Sequence, residues 1–262
     1  MNASNNMSDR KQMLQDALMA QRKMLIDATG KRGEDIPQAF TPYKEVLDVY
    51  DEGLELPDDV TIIWPDDNYG YMKRLSSPKE QKRSGRSGVY YHSSYLGKPH
   101  DHLWMNTTSP TLMYEELRKA YVMTADRIWL LNDRDIKACE FAVDFFLSMA
   151  YDIDSFNFAR AAAYRTEWLC GMLGDEYRNE YQDVLNSFYK LAFARRPEFM
   201  GWGYQWATDK HGRERNTDTD FSLTNYREVD SRLSEYRRIG SITEEILNKL
   251  PEEKKACFYQ PM

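Results

Sequence analysis

The chain has 262 residues, with 35 Lys and Arg against 42 Asp and Glu for a net charge of −7, and 42% of it is hydrophobic. That is a globular composition with enough apolar material for a sizeable core, at a length that makes one large domain or two modest ones. The acidic balance gives no long-range attraction for phosphate backbones, which argues against nucleic acid as a partner, and no run of about 18 apolar residues offers a membrane span.

Taken in chain order, Met13, Leu14, Ala17, Leu18, Gln21, Met24 and Leu25 recur at spacings of three and four, which predicts a helix from Gln12 to Thr29 that stops at Gly30. Thr41 as N-cap and Pro42 at the first helical position predict a second, shorter helix running to Gly53. Val60-Thr61-Ile62-Ile63-Trp64 is a β-branched run bounded by prolines and reads as a buried strand. Ser76 to Gly88 holds Ser, Pro, Gly and four Lys or Arg, which predicts a long exposed loop. Val89 to His92 is a second strand, Thr111 to Thr124 a helix, Arg127 to Asn132 a third strand and Ile136 to Tyr151 a helix. Strands and helices in this alternation argue for βα units on a parallel sheet, with all strand C-termini on one rim. After Asp152 the pattern is helical throughout, in Phe156–Leu173, Glu176–Ala194 and Tyr226–Leu250, so a domain boundary is expected near Asp152. The linker Gly201–Ser222 is rich in contact-making side chains, among them Trp202, Tyr204, Trp206 and His211.

The polar N-terminus, MNASNNMSDRKQ, has no apolar stretch of the kind an export signal needs, and the compartment is left open. Three scattered cysteines, Cys139, Cys170 and Cys257, imply no disulfide framework. The 18 Tyr and 6 Trp suit flat, polar-edged ligands, sugars among them.

Chemistry is expected on the rim. Asp66, Asp67, Asn68, Tyr69 and Tyr71 follow the first buried strand, His92, Ser94 and Tyr95 the next, and Asn132, Asp133 and Asp135 the third. Asp and Asn also make turns and helix caps after strands, which explains any one cluster, but three neighbouring clusters favour a site. Glu45, by periodicity alone, is a surface glutamate beside Lys44. His100 and His102 lack a third ligand at a recognisable spacing and read as loop residues, so no metal is expected. The basic stretch Lys79–Arg86 has no aromatic residue to stack a base.

The runs PDDVTIIWPDDNYGYMKRL, RSGRSGVYYHSSYLGKPHDHLWMNTT and RIWLLNDRDIKACEF, in this order and spacing, resemble the xylan α-1,2-glucuronidases of glycoside hydrolase family 115. The resemblance extends upstream through QAFTPYKEVLDVYDEG and downstream through RRPEFMGW to KKACFYQ. Family members are much longer, with a (β/α)8 barrel followed by a helical domain. The resemblance therefore implies an α/β plus all-α chain, with residues 1–152 a partial TIM-type barrel carrying the catalytic region and residues 153–262 a helical bundle domain.

Position by position, the resemblance implies that Glu45 is the general acid and that Asp66 and Asn68 activate and orient the attacking water, with Asp66 as base. It implies that His92, Tyr95 and Asn132 hold the uronic acid. Inversion places the acid and base about 6.5 to 9.5 Å apart with a water between, and needs no cofactor. The implied partners are glucuronoxylan or its oligosaccharides, with a homodimer as the implied assembly, and relatives are typically exported in bacteria. The chain departs from many relatives at Asn132-Asp133-Arg134-Asp135 and at Leu96, where they have NVGD and a tryptophan, which bears on substrate preference. Two rival expectations stand beside this one: an inactive piece that binds only acidic sugars or a partner chain through an open sheet edge, and a helical scaffold with an incidental α/β cap.

Overall fold

A computed structural model describes residues 6–95, 106–133, 136–201, 206–208 and 214–259 of the chain. They form two compact units: the first holds the chain up to Asp67 with Tyr71–Tyr91 and Glu116–Leu130, the second Asn68–Gly70, His92–Glu115 and the chain from Leu131 onward.

The first unit opens with α1 (Met7–Thr29), longer than predicted because Asn6 caps it by accepting the Ser8 N–H at 3.1 Å; Gly30 stops it at φ 67°. None of its residues is fully buried, and it sits on a cluster of Phe40, Leu54 and Val60 through Leu14 and Leu18. Arg22 adds a two-pronged pair with Asp59, both bonds 2.9 Å. A two-residue strand, β1 (Ala39–Phe40), follows, too short to carry a readable alternation. The next helix, α2 (Glu45–Asp51), starts later than expected, because the cap position falls on Lys44 at φ 52° and ψ −123° and leaves Thr41 and Pro42 outside it.

Strands β2 (Thr61–Pro65), β3 (Ser87–His92) and β4 (Ala125–Asn132) complete a four-stranded sheet in the order β1-β2-β3-β4. Neighbours are parallel: Phe40 faces Ile62, and Ile62 to Pro65 face Ser87 to Tyr90 in register. The Ser87 N–H meets the Thr124 carbonyl and the Ser93 N–H that of Asn132, so β4 runs the same way. All five residues of β2 are buried, as expected of a parallel strand covered on both faces. Gly88 is required where it stands, because a Cβ there would lie 2.1 Å from the Ile128 carbonyl oxygen. Asp66 follows β2 in the first unit, and His92 closing β3 and Asn132 closing β4 lie in the second.

The stretch from Ser76 to Gly88 differs from the exposed loop predicted. Ser76 and Ser87 are almost fully buried, bonded to each other at 3.0 Å, and Ser76 accepts the Trp64 indole N–H at 2.9 Å. Glu80–Lys82 forms a 3-10 turn, and Arg83 donates to the carbonyls of Leu56, Pro57 and Val60. Two of the charges that suggested solvent are used inside the fold, Arg83 on backbone carbonyls and Arg86 on the Asp126 carboxylate, while Lys79 and Lys82 stay exposed.

In the second unit, α4 (Ile136–Tyr151) bends at Cys139, and Asn157 caps α5 (Phe158–Leu173) by accepting the Arg160 N–H at 2.8 Å. Together with α6 (Arg178–Ala194), α7 (Glu228–Lys249) and α8 (Glu252–Tyr259), α5 encloses a core of Leu169, Leu173, Tyr181, Leu185, Ile246 and Phe258. Arg232 of α7 reaches the last turn of α6, donating to the carbonyls of Leu191 and Arg195, both at 3.0 Å. The antiparallel pair β5 (Trp206–Thr208) and β6 (Glu214–Asn216) lies where no strand was expected. The first helical position of α3 (Pro110–Val122) is Pro110, and its two halves fall in different units. Among the described residues no helix is long and apolar enough to cross a membrane.

Candidate active site

β2 ends in a tight loop whose residues divide the work. The Asp66 N–H continues the ladder to the Tyr90 carbonyl at 3.1 Å, and its side chain is buried at 5% exposure. Asp67 closes the loop: its N–H donates to the Tyr71 carbonyl at 2.9 Å, and its Oδ1 accepts the Tyr71 N–H at 3.1 Å. Lys73 stands 3.6 Å from its other carboxylate oxygen. Of the adjacent pair, Asp67 is committed to the turn. Asn68 and Gly70 both take left-handed backbone, at φ 70° and 93°, a conformation that asparagine accepts better than other side chains.

Glu45 is the first residue of α2 and is exposed, as its periodicity predicted, directly after the strained Lys44. The Tyr43 and Tyr90 rings meet edge to face at 5.8 Å, so the segment entering α2 and the strand beside Asp66 are in contact. Glu45 and Asp66 thus both lie in the first unit.

Asn68, His92, Tyr95 and Asn132 lie in the second unit. His92 is buried at 1% exposure, with the Tyr95 ring edge-on at 5.4 Å. The next residue, Ser93, ties this pair to the end of β4: its N–H donates to the Asn132 carbonyl at 3.1 Å, and its hydroxyl lies 3.0 Å from Asp133 Oδ1. Ser93 and Asp133 were not singled out for this support, and they sit next to predicted site residues. Arg196 was missed as well. It holds the carbonyl of Tyr69, and its only sequence signal was its place in the RRPEFMGW run.

His100, His102, Leu96, Asp101, Arg134 and Asp135, and Trp202, Tyr204 and His211 of the linker, lie outside the described residues. Among the described residues no group of three or more His, Cys, Asp or Glu could hold a metal ion.

The sequence model of Glycosyl hydrolase family 115 matches residues 2–199. A solved structure of a family GH115 4-O-methyl-α-glucuronidase with specificity for decorated arabinogalactans superposes with a TM-score of 0.87 at 35% identity, covering 99% of this chain. No curated protein matches. The chain spans 34% of that solved relative. With its strands, its rim residues and its helical part all falling inside this likeness, the chain belongs to glycoside hydrolase family 115.

Proposed function

We propose that this chain carries catalytic and uronate-holding residues of an inverting α-glucuronidase, which removes glucuronic acid or its 4-O-methyl ether from a plant polysaccharide. The four strands are then part of a (β/α)8 barrel, residues 1–152, and residues 153–262 its helical domain. The observation that carries the reading is the run of polar residues closing β2, β3 and β4 in a chain 35% identical to a 4-O-methyl-α-glucuronidase.

In this mechanism Glu45 protonates the departing glycosidic oxygen while Asp66 takes a proton from the water that attacks the opposite face of the sugar, inverting the anomeric carbon. Asp66 is buried on a rigid strand end, which holds a base in place; the Asn68 amide, in its left-handed turn, orients the water. A carboxyl that gives up a proton near neutrality needs a shielded setting. Glu45, exposed here, acquires that setting when the polysaccharide covers it. His92, Tyr95 and Asn132 hold the uronic acid through hydrogen bonds and ring contact.

The polymer of this reading is glucuronoxylan, as the family resemblance implies. The specificity named for the solved relative favours decorated arabinogalactan as a second reading. The test is uronic acid release by the purified chain from both polymers, with Glu45→Gln and Asp66→Asn alongside. Each substitution is expected to lower release by about a hundredfold or more while the thermal melt is unchanged. Release that persists in both variants overturns the roles. A folded wild-type chain that binds uronic acid without releasing it favours a non-catalytic acidic-sugar binder.

A further inference from the structure

We infer that Arg196 is a positioning residue for Asn68, acting through the peptide between Asn68 and Gly70; the inference rests on the function proposed above. The observation is a clamp on one residue. Arg196 Nη2 donates to the Tyr69 carbonyl at 2.6 Å, and both terminal nitrogens of the guanidinium reach the Thr108 hydroxyl at 3.3 Å. Its Nη1 also reaches the Thr107 hydroxyl at 3.3 Å. The same guanidinium lies 6.0 Å from the Tyr69 ring, which meets Phe199 at 5.3 Å on the segment that follows Arg196. Tyr69 is therefore gripped at its carbonyl and at its ring by one short stretch of chain.

That grip matters because Tyr69 stands between two left-handed residues, Asn68 and Gly70. Left-handed backbone at a non-glycine residue persists only where its surroundings over-determine it, and such strain gathers at functional turns. Asp67 and Tyr71 close the base of this turn, and Arg196 fixes its tip. With both ends held, the direction of the Asn68 side chain is set before any sugar arrives, the preorganisation that orienting a water requires. The terminal nitrogens of Arg196 already serve the carbonyl and the two threonine hydroxyls, so it acts by holding the loop rather than by pairing with the uronate. The sequence serves this arrangement: Arg196 precedes Pro197, which restricts it to the extended backbone observed at φ −67° and ψ 143°.

The test compares Arg196→Ala and Arg196→Lys with the unaltered chain by amide hydrogen exchange and by turnover of glucuronoxylan. The Asp67 and Tyr71 amides, both bonded across the base of the loop, are expected to exchange at least about tenfold faster in R196A, with the β2 amides unchanged. Lysine keeps the charge but loses the two-pronged fork, so R196K is expected to fall between them. On substrate, kcat is expected to drop about tenfold or more while KM stays within about twofold. Unchanged exchange at both amides in a cooperatively melting R196A overturns the inference. So does unchanged exchange with a raised KM, which would make Arg196 a direct partner of the uronate carboxylate. Where R196A does not fold, R196K decides by the same readouts. Should the unaltered chain release no uronic acid, the proposed function fails, and the exchange comparison still decides whether Arg196 holds the loop.

Discussion

Glu80 shows how much of this chain's charge is tied up in structure. Its carboxylate takes Arg74 Nη2 at 2.8 Å, the Ser77 N–H at 2.6 Å and the Tyr50 hydroxyl at 2.8 Å. Burial alone would raise its pKa, and these donors, Arg74 foremost, overcome that and bring it down to about 2. Burial, with the same contact to Glu80 added to it, pushes the Tyr50 phenol well above its ordinary range. A carboxylate whose folded-state pKa is depressed stabilises the fold in full above its unfolded value near 4.5, and loses that contribution as pH falls toward 2. Glu80→Gln is therefore expected to cost about 2 kcal/mol at neutral pH and progressively less as the medium is acidified below pH ~4.5. Urea unfolding of both proteins at about pH 7 and pH 3 measures this, and a penalty equal at the two values rules the linkage out. At this scale the sequence was legible for polar clusters and not for their division of labour. Nothing in Asp66-Asp67 announces that the second closes a turn on Tyr71, because that depends on where the chain returns four residues later.

Elements with long, strong patterns were readable: α1 apart from its first five residues, and the helices after Asp152 with β2, β3 and β4 to within about two residues of their observed ends. Periodicity reports burial, and these elements bury one face or both. The short ones were not readable. The two residues of β1, the three-residue strands β5 and β6, and α8 behind Pro251 each owe their form to the neighbour they pair with or cover. The loop before β3 was misread for a related reason, since composition counts its charges but not the carbonyls that Arg83 satisfies. Gly88 makes the tertiary origin of such features testable. An added methyl would have to displace the Ile128 carbonyl of β4, which is backbone and held in the sheet. Gly88→Ala is expected to destabilise the chain by about 2 kcal/mol or more. A fall in thermal midpoint beyond that of Gly240→Ala, at a helical glycine with nothing within 4 Å of its added Cβ, checks it. Equal midpoints for the two variants would mean that β3 and β4 do not approach this closely.

At the scale of the molecule, the sheet is parallel yet, among the described residues, incomplete as a layer. β2 is buried at every position, whereas β4 is exposed at Asp126, Arg127 and Leu130 and only half-buried at Ile128 and Trp129. Parallel strands are normally covered on both faces, so an outer strand reading Arg-Ile-Trp-Leu-Leu presents apolar side chains, and an edge ladder, that a further piece of protein would ordinarily occupy. The chain's coverage of 34% of its solved relative fits that reading, because most of a relative's length lies beyond what this chain spans. At 45% exposure, Leu130 is the most open large apolar side chain on the strand. The expected consequence is self-association through β4 over about a hundredfold range of protein concentration, seen as a rising weight-average mass in sedimentation equilibrium. Leu130→Lys places a charge on the exposed edge, the device by which natural edge strands avoid pairing, and is expected to lower the association several-fold without altering the melt. Arg127 and Asp126 already lie on that strand, with Asp126 paired to Arg86, so the single substitution acts on the apolar half of the edge. A chain that stays monomeric throughout, or an L130K variant that associates as strongly as the unaltered protein, would show that β4 is adequately shielded as it stands.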